Sequence, residues 1–412
     1  MPRPSVPRPS ATMPLAATDP AEPFADGKRR IAAAVDANRL EILDLSHRIH
    51  ANPEPAFEEH RASGWIADIM RGHAFAVEHP AGSLTTAIRA TRRGGRGGDR
   101  PRVAVLAEYD ALPGLGHGCG HNPMAASGVG AAIALAAVAG ELPGEIVFLG
   151  TPAEERGSGK QIMIDEGLFD GLDGALLYHP CDRNHAEIAP LASEDVYVTF
   201  SGLQSHAASD PWNGKNALDA LILLFSSVAL WRQQLRPEAR VHGIVQEGGT
   251  AANIIPDRAR AWFMLRSPDR DEFERMRARF RGIADGAALA TDTRVEIEFS
   301  GGATTMQNNR SLVARWRANA EAYGIVDQGL DPASGSTDMG NVSWVCPAIH
   351  PELAIVDEPT PGHSIRFRDA ALTPRADATT LLAATLVAQT AYELFVDPAL
   401  VEQARAEFRP RT

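Results

Sequence analysis

Two kinds of hydrophobic pattern divide this chain. In the first kind the predicted strands are apolar after a charged first residue, as in Arg102–Ala107 and Glu145–Gly150. Such runs are typical of strands that are buried on both faces of a parallel sheet. Helical patterns lie between them, over 125–138 and 159–167, and a further short strand is expected at 175–178. Strands that alternate with helices at this spacing predict an α/β fold with a mostly parallel sheet flanked by helices.

The pattern changes between about 191 and 302. Strands are predicted at 193–201, 240–245, 259–267 and 294–299, and helices at 218–231 and 273–283. The order strand–helix–strand–strand–helix–strand fits a small α+β sandwich. The first pattern then resumes and ends in a long helix over 377–394. We therefore expect a discontinuous catalytic domain over 29–190 and 303–400, with an inserted dimerisation or lid domain at 191–302.

The first residues differ from the rest in composition. Residues 1–28 are rich in Pro, Ser and Ala, and they lack the compact apolar core of a signal peptide. We expect a flexible tail here. The three cysteines, Cys119, Cys181 and Cys346, are too few and too odd in number for a disulfide framework. A cytoplasmic location is therefore the expectation.

The charge balance excludes some partners. With 40 basic and 52 acidic residues, the formal net charge is −12. An acidic surface repels phosphate backbones, so we expect no nucleic-acid partner. The most apolar stretch, 125–139, is interrupted by Ser and Gly and is interpreted as a buried helix, so no membrane partner is expected either.

Possible metal ligands follow the predicted strands of the catalytic domain, at the edge of the sheet where active sites gather in parallel folds. They comprise Glu108, Asp110, His117, Cys119, His121, Glu154, Glu155, His179 and, near the end of the fold, His363. Thiolate, imidazole and carboxylate together are the usual donors to Zn²⁺, Mn²⁺ and related ions. The sequence therefore predicts two divalent metal ions, with Zn²⁺ or Mn²⁺ favoured and Co²⁺ or Ni²⁺ also suited.

The spacing of these residues suggests a division of labour. Cys119 and His121 are one residue apart, so both can point to the same side of an extended loop. Glu154 and Glu155 are adjacent and point differently, so one can bind metal while the other exchanges protons with the attacking water. Two other functions remain open at this point. One is a thiol hydrolase with Cys119 as nucleophile, and the other is a non-catalytic binding protein of the same fold.

Several segments together resemble a known family. They include RIHANPEPAFEE, AEYDALPGLGHGCGHN, GTPAEERGSGK, GLQSHAASDPWNGKNALDA, GGTAANIIPD and GHS, and they run from about residue 45 to 366. The chain resembles the clan MH family of co-catalytic metal amidohydrolases and carboxypeptidases. That family includes hippurate hydrolases, indole-acetyl-amino-acid hydrolases, p-aminobenzoyl-glutamate hydrolase and aminoacylase-like dipeptidases.

The resemblance implies a role for each matching residue. Cys119 would lie between the two metals, and the other ligands would be His121, Glu155, His179 and His363. Glu154 would be the general base and acid, and Asp110 would orient a ligand. The implied reaction is hydrolysis of an amide bond in an N-acyl or N-aroyl amino acid or an unusual dipeptide.

The resemblance also assigns roles to the inserted domain. His206 would enter the active site of the partner subunit of a homodimer and stabilise the oxyanion. Asn253 and Arg266 would hold the substrate carboxylate or carbonyl. Glu108 and Asn122 replace aspartates of the nearest hydrolases, and both changes are typical of the p-aminobenzoyl-glutamate hydrolase and dipeptidase-like branch.

Overall fold

The computed structural model describes residues 24–330 and 335–408. Most of the predicted tail, residues 1–23, lies outside this range. The first helix nevertheless begins at Ala25, within the predicted tail. The reason is that this turn packs on the core, where Lys28 forms a buried ion pair with Glu393 at 2.9 Å.

The helices and strands are numbered in chain order. The helices are α1 Ala25–Ala37, α2 Arg39–Ala51, α3 His60–Gly72, α4 His121–Val138, α5 Gly159–Asp165, α6 Ala217–Trp231, α7 Arg270–Ala290, α8 Arg310–Ala322, α9 Met339–Val342, α10 Ile365–Ala370, α11 Pro374–Val396 and α12 Pro398–Glu407. The strands are β1 Ala76–Glu78, β2 Ile88–Arg93, β3 Arg102–Ala107, β4 Glu145–Gly150, β5 Gly174–Leu176, β6 His179–Cys181, β7 Ala192–Ser201, β8 Arg240–Glu247, β9 Arg258–Ser267, β10 Arg294–Ala303, β11 Ala348–Ile349 and β12 Glu352–Ala354.

The chain forms two compact units. The first unit contains the described residues of Met1–Ile188, Met306–Pro332 and Asn341–Thr412. Its six-stranded sheet has the order β1-β2-β4-β3-β5-β11. The pairs β4–β3, β3–β5 and β5–β11 are parallel, while β2 runs antiparallel to both of its neighbours. The predicted fold class, a mostly parallel sheet flanked by helices, is confirmed.

The core of this unit is built around two long helices. In α4 every residue except Ala137 is buried, and α11 is buried along most of its length. Both are long and apolar enough to cross a membrane, but 89% of each relevant window is buried inside the protein, as in core helices. Gly128 lets α4 lie directly on β3, because a Cβ at this position would be 2.2 Å from the carbonyl oxygen of Leu106.

The second unit contains the described residues of Ala189–Thr305 and Ala333–Gly340. Its antiparallel sheet has the order β10-β7-β9-β8. Buried and partly exposed residues alternate strictly along β9, because one face packs on helices and the other does not. The elements follow the predicted order, β7-α6-β8-β9-α7-β10. Residues 335–340, which the sequence assigned to the catalytic domain, pack in this unit, where Leu191 donates to the carbonyl of Gly335 at 2.8 Å.

Candidate active site

A buried carboxylate organises the site at the end of β3. Asp110 follows this strand by three residues and is 1% exposed. Nδ1 of His121 lies 2.9 Å from the backbone oxygen of Asp110 and 3.1 Å from its Oδ1. The other carboxylate oxygen accepts a hydrogen bond from the backbone N–H of Glu155 at 3.0 Å. Asp110 therefore fixes two of the predicted ligands, as expected of a residue that orients them.

The orientation of His121 follows from these contacts. Both partners of Nδ1 are acceptors, so the proton of the neutral ring lies on Nδ1 and leaves a lone pair on Nε2. Burial opposes protonation of His121, but the hydrogen bond to Asp110 and the nearby Cys119 raise its pKa well above the usual value. A buried ring surrounded by negative groups in this way is an environment that a cation would stabilise.

The first candidate metal group contains Cys119, His121 and His179, whose ligand atoms all lie within 4.8 Å of one another. Sγ of Cys119 is 3.5 Å from Nε2 of His179. Burial raises the pKa of the Cys119 thiol, and a bound metal would reverse that by favouring the thiolate. Burial and the neighbouring rings of His350 and His121 lower the pKa of His179 to about 3, which keeps its imidazole neutral and able to bind metal.

The second group contains Cys119, Glu155 and His363, also within 4.8 Å of one another. Nε2 of His363 lies 3.4 Å from Oε2 of Glu155. Burial alone would raise the pKa of Glu155, but the pairing with His363 lowers it and raises that of the histidine. His363 has a φ of 56°, a strained conformation for a residue with a side chain and one that clusters at functional sites. Cys119 is common to both groups.

Glu154 belongs to a third candidate metal group, which shares His121 with the first. Its carboxylate is within 4.8 Å of ligand atoms of Glu108 and His121. The preceding residue, Ala153, has a φ of 60°, and its N–H donates to the buried carboxylate of Glu59 at 2.9 Å. Glu59 thus fixes the turn that precedes the adjacent glutamates.

The residues present fit a pair of metal ions. Among the described residues, Nε2 of His121 and Oε1 of Glu155 are buried without a hydrogen-bond partner, although buried polar atoms normally have one. Donors about 2.1 Å from a tetrahedral ion stand about 3.4 Å apart. The pairs Cys119–His179 and Glu155–His363 have this spacing, at 3.5 and 3.4 Å. The structure therefore brings together all five residues predicted as ligands, and their roles remain predictions.

His206 and Asn253 lie together in the second unit. The two segments form a bridge between His206 and Ile254, and the N–H of Ala207 donates to the carbonyl of Asn253 at 3.0 Å. Nδ1 of His206 accepts from the backbone N–H groups of Ala208 and Ser209 at 3.2 and 3.1 Å. A neutral ring held in this way carries its proton on Nε2 and is a hydrogen-bond donor, as the predicted role requires.

Arg266 is separated from those two residues. The His206–Asn253 segments adjoin the start of β9, where Gly202 donates to the carbonyl of Asp257 at 2.7 Å. Arg266 lies near the other end of the same strand, about 25 Å further along. Its Nε is 3.1 Å from Sδ of Met264. Within one subunit the structure does not bring Arg266 and Asn253 to the same point.

The sequence did not predict a role for three buried residues near the site. Glu59, Lys160 and His350 are buried, and each touches a residue of the site or of its supporting loops. The ring of His350 lies 5.6 Å from that of His179, and Lys160 pairs with Glu108. A buried charge is costly unless an opposite charge lies beside it. The acidic Glu108 directly after an apolar strand was therefore a sequence signal that a buried cation lies next to it.

The fold and the site define a metal-dependent peptidase family, and comparison with known proteins gives the same result. Residues 104–385 match peptidase family M20/M25/M40. The chain belongs to this family, which confirms the expectation of a metal-dependent amidohydrolase.

Several individual proteins are similar to this chain over most of its length. The chain is 39% identical over 404 residues to the Xaa-Arg dipeptidase of Mus musculus, covering 93% of this chain and 92% of that protein. It is 28% identical to one of the subunits of p-aminobenzoyl-glutamate hydrolase from Escherichia coli, over 93% of this chain and 95% of that protein. A dinuclear metal-binding peptidase of the M20 family from Bacillus subtilis has a similar fold, with a TM-score of 0.66 at 20% identity over 88% of this chain and 99% of that one. The aminobenzoyl-glutamate utilization protein from Klebsiella pneumoniae has a TM-score of 0.68 at 20% identity, over 85% and 98%.

Proposed function

We propose that this protein is a dipeptidase that uses two divalent metal ions to cleave a dipeptide with a free C-terminal carboxylate. The observation that carries the proposal is the position of Cys119, which belongs to two groups of possible metal ligands at once. Because Cys119 is common to both groups, its sulfur would help to hold two neighbouring ions, and such a pair would supply co-catalytic metal chemistry. The homology to Xaa-Arg dipeptidases favours a dipeptide with a basic C-terminal residue over other amides.

The mechanism follows from the placement of the carboxylates. When bound, the ions polarise the scissile carbonyl and acidify the attacking water. Glu154 takes a proton from that water and delivers it to the leaving amine. Asp110 holds His121 and the backbone of Glu155 in position throughout. Nε2 of His206 donates to the oxyanion of the tetrahedral intermediate.

Recognition of the substrate is assigned to the second unit. Arg266 lies about 25 Å from the start of β9, which the segment of Asn253 adjoins, so we infer that one substrate contacts both residues only if they come from different subunits. A homodimer in which each active site takes His206 and Asn253 from the partner satisfies this condition. The guanidinium of Arg266 then binds the carboxylate through two parallel hydrogen bonds.

Exposed apolar side chains support the homodimer. Strand β8 is at the edge of its sheet, and Ile244 and Val245 on it are 56% and 52% exposed. On α6, Ile222 and Leu230 are 54% and 68% exposed. An open sheet edge with apolar side chains is a surface that usually pairs with another chain. Zn²⁺ or Mn²⁺ as the native metal, with Co²⁺ or Ni²⁺ as substitutes, and a cytoplasmic location complete the proposal.

Turnover of a substrate panel by the metal-loaded enzyme tests this function. The panel contains dipeptides ending in Arg, Lys, Glu and Leu, together with N-acyl amino acids and p-aminobenzoyl-glutamate, and amine release is measured. We expect the dipeptides ending in Arg or Lys to be cleaved fastest. Exhaustive chelation should abolish turnover, and added Zn²⁺, Mn²⁺ or Co²⁺ should restore it. Full activity without metal, or an acyl group trapped on Cys119, would overturn the proposal.

A further inference from the structure

A buried ion pair lies beneath the candidate metal centre. Lys160, the second residue of α5, is 0% exposed, and its ammonium pairs with Oε1 of Glu108, whose side chain is 1% exposed. Two charges are removed from water here, which is costly unless both are well compensated. The ammonium compensates one oxygen of Glu108 only.

The second oxygen of Glu108 has an unusual neighbour. Oε2 accepts no hydrogen bond from the described residues and lies 3.4 Å from Nε2 of His121, which is likewise without a hydrogen-bond partner. Because Nδ1 of His121 faces two acceptors, its proton lies there. In the neutral ring a lone pair on Nε2 therefore faces a carboxylate oxygen at close range in a buried site. Two acceptors at this distance repel each other unless a proton or a metal ion is shared between them.

The spacing and the neighbours fit a metal ion between these two atoms. A separation of 3.4 Å equals that of Glu155 from His363 in the second ligand group. Ligand atoms of Glu108, His121 and Glu154 lie within 4.8 Å of one another, and His121 also belongs to the group with Cys119 and His179. We propose that Glu108 is a further metal ligand, binding through Oε2 the ion held by His121, and that Lys160 is a positioning residue that leaves only this oxygen available. The inference rests on the proposed dinuclear site and adds a ligand to it.

Substitution of Glu108 by glutamine tests the assignment, because the amide keeps the size of the side chain but is a poor metal ligand. Metal content and affinity are measured by competition with a chromophoric chelator, independently of turnover. We expect Glu108→Gln to bind one of the two ions more weakly than the wild type, by at least about 10- to 100-fold, which is the cost of losing an outer-shell partner. The matched control is Lys28→Met, which breaks a buried ion pair of the same unit, Lys28–Glu393, and should keep both affinities unchanged.

The outcomes separate the inference from the function on which it rests. Two ions bound by Glu108→Gln with the affinities of the wild type would overturn the assignment, and would mean that a proton on His121 compensates the carboxylate. A wild type that binds no metal would instead overturn the proposed function. If the variant does not fold, anomalous diffraction from crystals of the zinc-loaded wild type decides. A distance of about 2.0–2.2 Å from Oε2 to the ion is expected, and an oxygen beyond bonding distance contradicts the assignment.

Discussion

The two units of this protein differ in how far their predicted functional side chains are buried. In the first unit, charged and ligating side chains such as Glu108, Asp110 and His121 are at most 1% exposed and lie near the end of β3, which is apolar after its first residue. In the second unit, His206 and Asn253 are exposed on loops beside an alternating sheet. Buried groups are rigid and strongly coupled, as chemistry requires, whereas exposed ones are free to meet a substrate or another chain. This contrast predicts that changes in the two units affect different kinetic constants.

The largest expected effect belongs to the buried unit. Glu154→Ala should lower kcat about 10²- to 10⁴-fold, because no other group is proposed to transfer the proton. Metal content should stay at the wild-type level, since Glu154 is not among the proposed ligands. Steady-state kinetics and metal analysis of the purified variant check both points. Glu58→Ala, which removes an exposed glutamate of the same unit, is the control and should be silent.

The second expectation concerns the exposed unit. His206→Ala should lower kcat about 10²- to 10³-fold through loss of an oxyanion donor, with KM little changed. Mixing this variant with Glu154→Ala subunits should restore activity, because each heterodimer then contains one complete site. Each variant mixed only with itself serves as the control. An absence of restoration under conditions where heterodimers form would place His206 in the site of its own chain.

A smaller effect is expected for the residues proposed to bind the carboxylate. Asn253→Ala and Arg266→Gln should each raise KM about 10- to 100-fold, because each variant loses one or two hydrogen bonds to the charged substrate carboxylate. The measurement compares a dipeptide with its C-terminal carboxamide, for which the effect of Arg266→Gln should disappear. Arg294→Gln removes an exposed arginine from β10 of the same sheet and should leave both KM values unchanged. An equal loss on both substrates would give Arg266 a structural role.

The smallest expected effect is on stability and comes from Glu59. Burial raises its pKa from 4.5 to about 7, despite the hydrogen bond from Thr86. Between these two pH values the folded state keeps a proton on Glu59 that the unfolded state releases. The contribution of Glu59 to the free energy of unfolding is therefore complete below about pH 4.5 and is lost as the pH rises to about 7, by up to about 3 kcal/mol. Glu59→Gln is neutral throughout, and its amide can still donate to the hydroxyl of Thr86. Thermal unfolding of the metal-free proteins should show the variant gaining stability over the wild type between pH 5 and pH 8, whereas a constant difference would contradict the raised pKa.

The strands and the ligand cluster could be predicted because their signals are local. An apolar run such as Arg102–Ala107 identifies a buried parallel strand, and the end of such a strand is where ligands gather. The support of the site could not be predicted, since Glu59 and Lys160 act through contacts that join distant segments. The first turn of α1 was missed for the same reason, because its burial depends on a helix more than 350 residues later.

The contact between α4 and β3 has a consequence for the metal centre. His121 is the first residue of α4, and Gly128, seven residues later, is about 10 Å away along the helix axis. A single methyl group at position 128 would clash with the carbonyl of Leu106 and displace α4 from the sheet. His121 would move with it, since a helix transmits displacement to its end as a rigid body. The distance from His121 to a bound ion thus depends on the absence of a side chain at Gly128, a residue with no proposed role in the reaction.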